Sequence, residues 1–167
     1  MKRLFFLMIL AICFTFDING QNLVFLGDRS FPSSETYTLK SNTQGRGFGD
    51  LRIVFAREGN KGLLFLSSKI VPDVIIANDI IIYLNDGTVI VSEDKGMNDS
   101  VDGVATTAYY LSDEDIGKMK SSDIHTIRYE FKGTKITTFT YSGTFSASNK
   151  GKHKTDFTEV ISNFFND

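Results

Sequence analysis

Apolar positions follow a β pattern over most of this chain. Apolar runs at 51–56 and 63–66 flank a turn-forming stretch, and this arrangement predicts a β-hairpin. Apolar runs at 80–84 and 88–91 flank an Asn-Asp-Gly turn, which is the stronger hairpin signal of the two. Because the second hairpin is almost continuously apolar, we expect its strands to be covered on both faces.

Three further strands are predicted at 104–111, 124–131 and 135–145. Alternation along the middle strand places one set of side chains on a common face, namely His125, Ile127, Tyr129 and Phe131. Residues 28–49 carry a proline and several glycines, so we expect this segment to be irregular.

Two helices interrupt the β pattern. Ser112 begins a capping-box sequence with an acidic first turn, which predicts a short helix before residue 124. Residues 157–164 are apolar at helical spacing, and Thr155 is the predicted N-cap of this C-terminal helix. The predicted fold class is therefore α+β, a mainly antiparallel sheet of hairpins with one short inserted helix and a C-terminal helix.

Residues 1–20 carry the pattern of a secretory signal peptide. A basic start precedes an apolar run at 4–12, and a more polar stretch ends at Gly20. The run is shorter than the roughly 20 residues that a membrane-spanning helix needs. We therefore expect cleavage after Gly20, a single secreted or periplasmic β-rich domain at 21–167, and no membrane span in that mature chain.

Cysteine usage and charge narrow the chemistry. The one cysteine, Cys13, lies within the predicted signal, so the mature chain would hold no thiol for catalysis, disulfides or metal binding. The alternative is a lipid anchor at Cys13, although the bulky Ile12 stands where a lipoprotein signal places a small residue. A formal net charge of −2 without a basic stripe excludes nucleic acid as the expected partner.

Residues 93–103 hold the richest set of oxygen ligands. Asn98, Ser100 and Asp102 match the first half of a helix-flanked calcium loop, but Tyr109 stands where that loop requires a bidentate glutamate. We expect no cofactor, with one alternative, a looser calcium site. Its candidate ligands are Glu93, Asp94, Asp99 and Asp102.

The same segment carries two modification motifs. Asn98-Asp99-Ser100 is an N-glycosylation sequon. Asp99-Ser100-Val101 resembles the short O-glycosylation pattern of some Bacteroidetes bacteria. Asn98 and Ser100 are therefore candidate modification sites, and a solvated loop rich in turn formers is the alternative interpretation.

No catalytic set is complete in the sequence. His125 and His153 are the two histidines, and no serine lies in a diagnostic setting beside either of them. The acidic run 113–115 is accounted for by helix capping. The glycine-rich stretch 45–50 leads into a strand rather than a helix, so it is interpreted as a turn and not as a phosphate loop.

Three stretches, at 82–88, 109–116 and 124–129, together carry a resemblance to a known group. The chain resembles small secreted proteins of Bacteroidetes-type bacteria that have no assigned function. The shared stretches are fold-like rather than chemical, so the resemblance implies an exported β-rich domain and no particular activity.

These observations favour a non-enzymatic binding or interaction module, with a protein or glycan partner at the cell envelope. One alternative is a hydrolase of glycans or peptides with dispersed acidic residues, which would need a cleft joining Asp99 or Asp102 to His125. The other is a calcium-dependent adhesion module that uses residues 93–103.

Overall fold

The computed structural model of the protein describes residues 22–43, 47–151 and 154–166. The predictions about the signal peptide, about cleavage after Gly20, about Cys13 and about His153 lie outside the described residues. Part of the glycine-rich stretch does so as well, because its description resumes at Gly47.

The described residues form eleven strands, two α-helices and one 3-10 helix. The strands are β1 (Asn22–Leu26), β2 (Arg29–Ser33), β3 (Tyr37–Ser41), β4 (Leu51–Glu58), β5 (Lys61–Lys69), β6 (Val74–Leu84), β7 (Val89–Ser92), β8 (Asn98–Val101), β9 (Val104–Leu111), β10 (Ile124–Gly133) and β11 (Gly143–Ser148). The helices are α1 (Asp113–Ser121), the 3-10 helix (Ile136–Tyr141) and α2 (Phe157–Phe165). The predicted α+β class, with its inserted and C-terminal helices, is confirmed.

All pairings in the sheet are antiparallel. The order is β7-β6-β10-β11-β3-β4-β5-β9-β8, and the β1–β2 hairpin attaches through β2 to β4. The sheet curls around one main core, so strands distant in this order meet across the interior. Thr107 Oγ1 of β9 donates to the Ile76 carbonyl of β6 at 2.7 Å, and the Tyr109 hydroxyl donates to the Asn78 carbonyl at 3.1 Å.

The first hairpin, β4–β5, is the one covered on both faces. Ile53 and Phe55 face the main core, whereas Val54 and Ala56 face a second cluster beneath the β1–β2 hairpin. Phe31 of β2 packs on Phe65 of β5 in this second cluster, with ring centroids 5.4 Å apart. Burial on both sides explains why the two strands are nearly continuous in apolar residues.

The second hairpin, β6–β7, exists as predicted, but its expected burial on both faces is wrong. Ile82 and Ile90 are buried in the core, whereas Val89 and Val91 are 50% and 58% exposed on the outer face. The apolar run therefore predicts the strand correctly, but it does not show that both faces of the strand are buried.

Residues 28–49 are more regular than expected, because they contain β2 and β3. These strands are only five residues long, and β2 includes Pro32. Short strands give little alternation to detect in sequence, and proline argues against a strand. Tertiary pairing of β3 with β4 and β11 makes up for the weak local signal.

The strand predicted at 135–145 is wrong over its first half, which forms the 3-10 helix before β11 begins at Gly143. The Thr138 hydroxyl donates to the carbonyls of Lys135 and Asp73, both at 3.0 Å. Ser142 Oγ accepts from the Gly133 amide at 2.9 Å. These hydroxyl bonds to the backbone compete with a strand ladder in this threonine-rich stretch.

The predicted common face of β10 is correct for Ile127, Tyr129 and Phe131, which are buried, and wrong for His125. The pairing with β6 shifts register between Ile124 and Thr126. This bulge leaves His125 exposed, because an extra residue in a strand turns away from the ladder.

Both helix starts depend on local capping. Ser112 and Asp115 form the predicted capping box at the start of α1. For α2 the observed N-cap is Asp156 rather than Thr155, because the Asp156 carboxylate accepts from the amides of Thr158 and Glu159. Phe157 and Ile161 of α2 are fully buried in the main core.

Candidate functional site

Asp94, one of the four predicted calcium ligands, holds the backbone of β6. Its Oδ2 accepts from the Asn78 amide at 2.9 Å, and its Oδ1 accepts from the Gly96 amide at 2.7 Å. Asn78 has a φ of 63° at a bulge in β6, and Asp79 Oδ1 accepts from the Asp94 amide at 2.9 Å. The Asp94 carboxylate is thus committed to a structural contact.

Of the other three candidate ligands, Glu93 and Asp99 have partners of their own, and Asp102 lies in a turn. Glu93 forms an ion pair with Lys95. Asp99 accepts from the Gly27 amide at 3.0 Å, and Asp102 has a φ of 51° in the turn between β8 and β9. Within residues 22–43, 47–151 and 154–166, no group of three or more acidic, histidine or cysteine side chains is placed to hold a metal ion.

The candidate modification sites lie on an edge strand rather than in a loop. Asn98 and Ser100 are both exposed on β8, which pairs on one side with β9. Their exposure leaves both side chains accessible from solvent.

The residues required by the hydrolase alternative lie on different parts of the sheet. His125 Nδ1 lies 2.8 Å from Thr126 Oγ1 in β10. Asp99 lies in β8 and Asp102 in the turn that follows it. Asp99 lines a concavity beside β1, and neither His125 nor Asp102 is among the residues of that concavity.

A cleft of about 370 Å³ lies between the β4–β5 turn and the two helices, and we call it the basic cleft. Its cationic side chains come from β4, β5 and α1, and its one carboxylate comes from the start of α1. Its lining residues are Arg57, Gly59, Asn60, Lys61, Gly62, Asp113, Ile116, Gly117, Lys120 and Phe165.

Local sequence determines the shape of the basic cleft. Gly59 has a φ of 60°, which lets β4 turn tightly into β5 and places Lys61 beside the opening. Gly62 lets the helices approach the sheet, because a Cβ there would lie 2.7 Å from Ile116 Cδ1 and 3.3 Å from Phe165 Cε1. The helices and the β4–β5 turn therefore pack closely together at the floor of the basic cleft.

Two of the three cations also hold the end of α2. The Arg57 guanidinium donates to the Phe164 carbonyl and packs over the rings of Phe164 and Phe165. Lys120 Nζ donates to Asn166 Oδ1 at 2.7 Å and to the Phe165 carbonyl at 3.3 Å. Cations at a helix C-terminus offset its partial negative charge, so this arrangement stabilises the docking of α2.

Lys61 lies over the Tyr110 ring, with Nζ 5.2 Å from the centroid. Glu58 attracts Lys61 across the turn, but its carboxylate is bound by Arg29 and by the Tyr110 hydroxyl. The hydrogen bond from Tyr110, with the charge of Arg29 adding to it, lowers the pKa of Glu58 below its ordinary value. Glu58 is thus ionised at neutral pH and committed to other partners.

Among its described lining residues, the basic cleft has more positive than negative side chains. None of the ion pairs formed by the described residues includes Arg57, Lys61 or Lys120. Among the described residues the opposing charges are Asp113, Glu58 across the turn, and the C-terminal end of α2, which counts for about half an elementary charge. Such a cleft can hold an anionic group by ion pairing and by hydrogen bonds from guanidinium and ammonium groups.

The sequence does not predict this site. Its cations are separated along the chain, and the local pattern marks Lys61 only as part of a turn. The glycine and asparagine before Lys61 were the one available signal, because they fix a tight turn that projects the lysine. The convergence of β4, β5 and α1 depends on the tertiary packing of the helices.

Searches of protein-family models, of curated proteins and of solved structures found no match to this chain. None of the helices formed by the described residues has the length and apolar character needed to cross a bilayer. Function must therefore be inferred from the geometry of the described residues.

Proposed function

We propose that this chain is a secreted or periplasmic binding module whose ligand places an anionic group, a carboxylate or a phosphate, in the basic cleft. The observation that carries this proposal is the presence of Arg57, Lys61 and Lys120 in one cleft, none of them paired with a described carboxylate. The chain has 20 acidic side chains, yet the described ones form no ion pair with these three cations, and this favours an external anion.

The lining of the basic cleft favours binding over catalysis. The described residues that line it include a single carboxylate, Asp113, and no histidine or serine. General acid–base chemistry needs a titratable group that can accept and return a proton near neutral pH, usually with a second group that orients it. The lysines and Arg57 offer charge and hydrogen-bond donors instead, which are the groups that recognise an anion.

Lys61 is the best residue for a test, because Arg57 and Lys120 also hold carbonyls of α2. Lys69 is its matched control, since it lies at the other end of β5, is also exposed and takes part in none of the ion pairs among described residues. Both lysines can be changed to glutamine without altering a buried contact.

The binding of inorganic phosphate and of succinate, measured by amide chemical shifts, tests the proposal. We expect saturable shifts at Gly59–Gly62 and at Gly117. Lys61→Gln should weaken binding by about two- to fivefold, because an exposed ion pair is worth about 0.5–1 kcal/mol. Raising the salt concentration should weaken it further.

Lys69→Gln should bind both anions as the unaltered protein does. Equal weakening by the two substitutions would reduce the effect to overall charge and would contradict the proposal. Shifts confined to residues outside the basic cleft would contradict it as well.

A further inference from the structure

A second concavity of about 390 Å³ adjoins the basic cleft, and we call it the seam groove. It lies where β7 and β9 face each other at the open seam of the curled sheet. Its lining residues are Lys61, Val91, Ser92, Glu93, Lys95, Tyr110, Leu111, Ser112 and Asp115. Lys61 lines both the seam groove and the basic cleft.

β7 presents a free edge at the seam groove. It pairs with β6 and with no other described strand. The Leu84 amide donates to the Thr88 carbonyl at 2.9 Å, so hydrogen-bonded pairs recur at every second residue from there, including Ile82 with Ile90. The amides and carbonyls of Val89 and Val91 therefore point away from β6.

The opposite wall of the seam groove presents a free backbone position in β9. The Ala108 amide donates to the Met97 carbonyl at 2.9 Å, on the side of β9 where β8 lies. By the same alternation, the Tyr110 amide and carbonyl point to that side, beyond the end of β8. No described strand pairs with Tyr110 there.

β7 is short, but it carries no residue or irregularity that would block pairing along its edge. Its four residues are Val89-Ile90-Val91-Ser92, without a lysine, a proline or a bulge. Ser92 lines the seam groove and is 4% exposed, and its Oγ is the buried side-chain atom of the described residues that has no hydrogen-bond partner. A buried hydroxyl without a partner is uncommon in folded proteins and calls for one.

We propose that the seam groove receives an extended acidic polypeptide segment, which adds a strand to the free edge of β7 and places a carboxylate at Lys61. This inference rests on the proposed function of the basic cleft and names the ligand class. A polypeptide fits because its amides and carbonyls repeat with the spacing that Val89 and Val91 require. An acidic one fits because Lys61 forms none of the ion pairs among the described residues, whereas the carboxylates of the seam groove have partners, Glu93 in Lys95 and Asp115 in the capping box of α1.

The probe is the hexapeptide Glu-Thr-Val-Thr-Val-Glu, labelled with a fluorophore, and its binding is followed by fluorescence anisotropy. The glutamate at each end allows a carboxylate to reach Lys61 in either strand direction. Two further peptides carry N-methyl groups on one or the other set of alternate amides. We expect one of these two sets to weaken binding at least tenfold, because strand addition uses alternate amides of the peptide.

Val91→Pro tests the same contact from the protein side. It removes an amide that does not pair with β6, and proline is tolerated at such positions of edge strands. We expect at least tenfold weaker peptide binding with phosphate binding unchanged. Ser100→Pro on β8, another edge strand, is the control: Ser100 also faces away from its paired strand, among the described residues its amide donates only to the neighbouring Asp99 Oδ1 at 2.7 Å, and the substitution should leave binding unaltered.

The outcomes separate this inference from the proposed function. If Lys61→Gln weakens phosphate and peptide binding while Val91→Pro and both N-methylated peptides have no effect, strand addition is overturned and the proposed function stands. If Lys61→Gln changes neither ligand, the proposed function fails too. A dimer in sedimentation that Val91→Pro disrupts, with no peptide binding, would assign the edge to a second copy and overturn the inference.

Discussion

Two glycines show how closely single positions are constrained in this fold. At Gly133, a Cβ would lie 2.2 Å from the Thr138 carbonyl oxygen and 2.8 Å from the Phe139 amide nitrogen. At Gly117, on the exposed side of α1, a Cβ would meet nothing within 4 Å. Position 133 therefore requires glycine, whereas position 117 has room for a larger side chain.

Alanine at these two positions should have opposite effects on stability. We expect Gly133→Ala to lower the free energy of unfolding by about 3 kcal/mol or more, because backbone atoms must move. Gly117→Ala should raise it by about 0.5–1 kcal/mol through helix propensity. Urea denaturation of both variants measures the difference, and equal effects would contradict the close approach at Gly133.

At the residue scale, a side chain that the sequence offers for chemistry also takes part in folding. Asp94 is a candidate ligand, and it holds the Asn78 amide at a bulge of β6. The local sequence pattern predicts neither the bulge in β6 nor the position of Asp94 beside it. Strict alternation predicts that His125 shares a face with Ile127, Tyr129 and Phe131, because it cannot foresee the register shift beside His125.

At the element scale, strong local signals were sufficient. Both predicted hairpins and both helices exist, because turn formers and capping residues lie at the required spacing. The 3-10 helix was missed because Thr138 and Ser142 bond to the backbone in a stretch that resembles a strand by composition. Docking of α2 was also hidden, since it depends on contacts between segments far apart in sequence.

Asn149 is the centre of that docking. It is 7% exposed, its Nδ2 donates to the Thr155 and Ile124 carbonyls at 2.8 and 3.2 Å, and its Oδ1 accepts from the Thr155 amide at 3.0 Å. The neighbouring Asp123 Oδ1 accepts from the Phe157 amide at 3.0 Å. The segment before α2 is therefore fixed to the end of β11 and the start of β10.

We expect Asn149→Ala to lower the free energy of unfolding by about 2–3 kcal/mol, because it leaves buried backbone groups without partners. Amides of α2 should lose hydrogen-exchange protection before those of the sheet. Asn42→Ala is the control, since Asn42 is exposed and its Oδ1 accepts one bond, from the Ser146 amide at 2.9 Å. Asn42→Ala should lower the free energy of unfolding by less than about 1 kcal/mol. Comparable decreases in the two variants would contradict the proposed role of Asn149.

At the scale of the whole molecule, the curl of the sheet brings distant strands together, and local patterns cannot show it. The sequence predicted strands and hairpins but no strand order. The basic cleft depends on that order, because Arg57, Lys61 and Lys120 meet only when α1 and α2 pack against the β4–β5 turn. Two buried tyrosines connect strands across the interior of the curled sheet. The Tyr109 hydroxyl forms a hydrogen bond with β6, and the Tyr129 hydroxyl forms one with β3.

These tyrosines make stability sensitive to alkaline pH. Burial raises the pKa of Tyr129 from 10.0 to about 12, and burial with nearby carboxylates raises that of Tyr109 as well. The unfolded chain loses these protons near pH 10 while the folded state keeps them, so stability is complete below pH 10 and falls as the pH rises toward 12.

Tyr129→Phe should remove its share of this loss. At about 1.4 kcal/mol for each pKa unit, that share is about 3 kcal/mol between pH 10 and 12. Urea denaturation across this range, for the variant and the unaltered protein, checks the expectation. Parallel curves for the two proteins would show that Tyr129 is not the group responsible.

The pairing of β3 with β11 has a consequence for the time course of folding. The Asn42 amide donates to the Ser146 carbonyl at 2.9 Å, and these residues are 104 positions apart. β3 is synthesised well before its partner strand β11. Until β11 is in place, β3 and β10 each have one edge without a paired strand. Closing so long a loop costs chain entropy before any contact repays it, so this topology predicts slow folding and a lasting need for protection from aggregation.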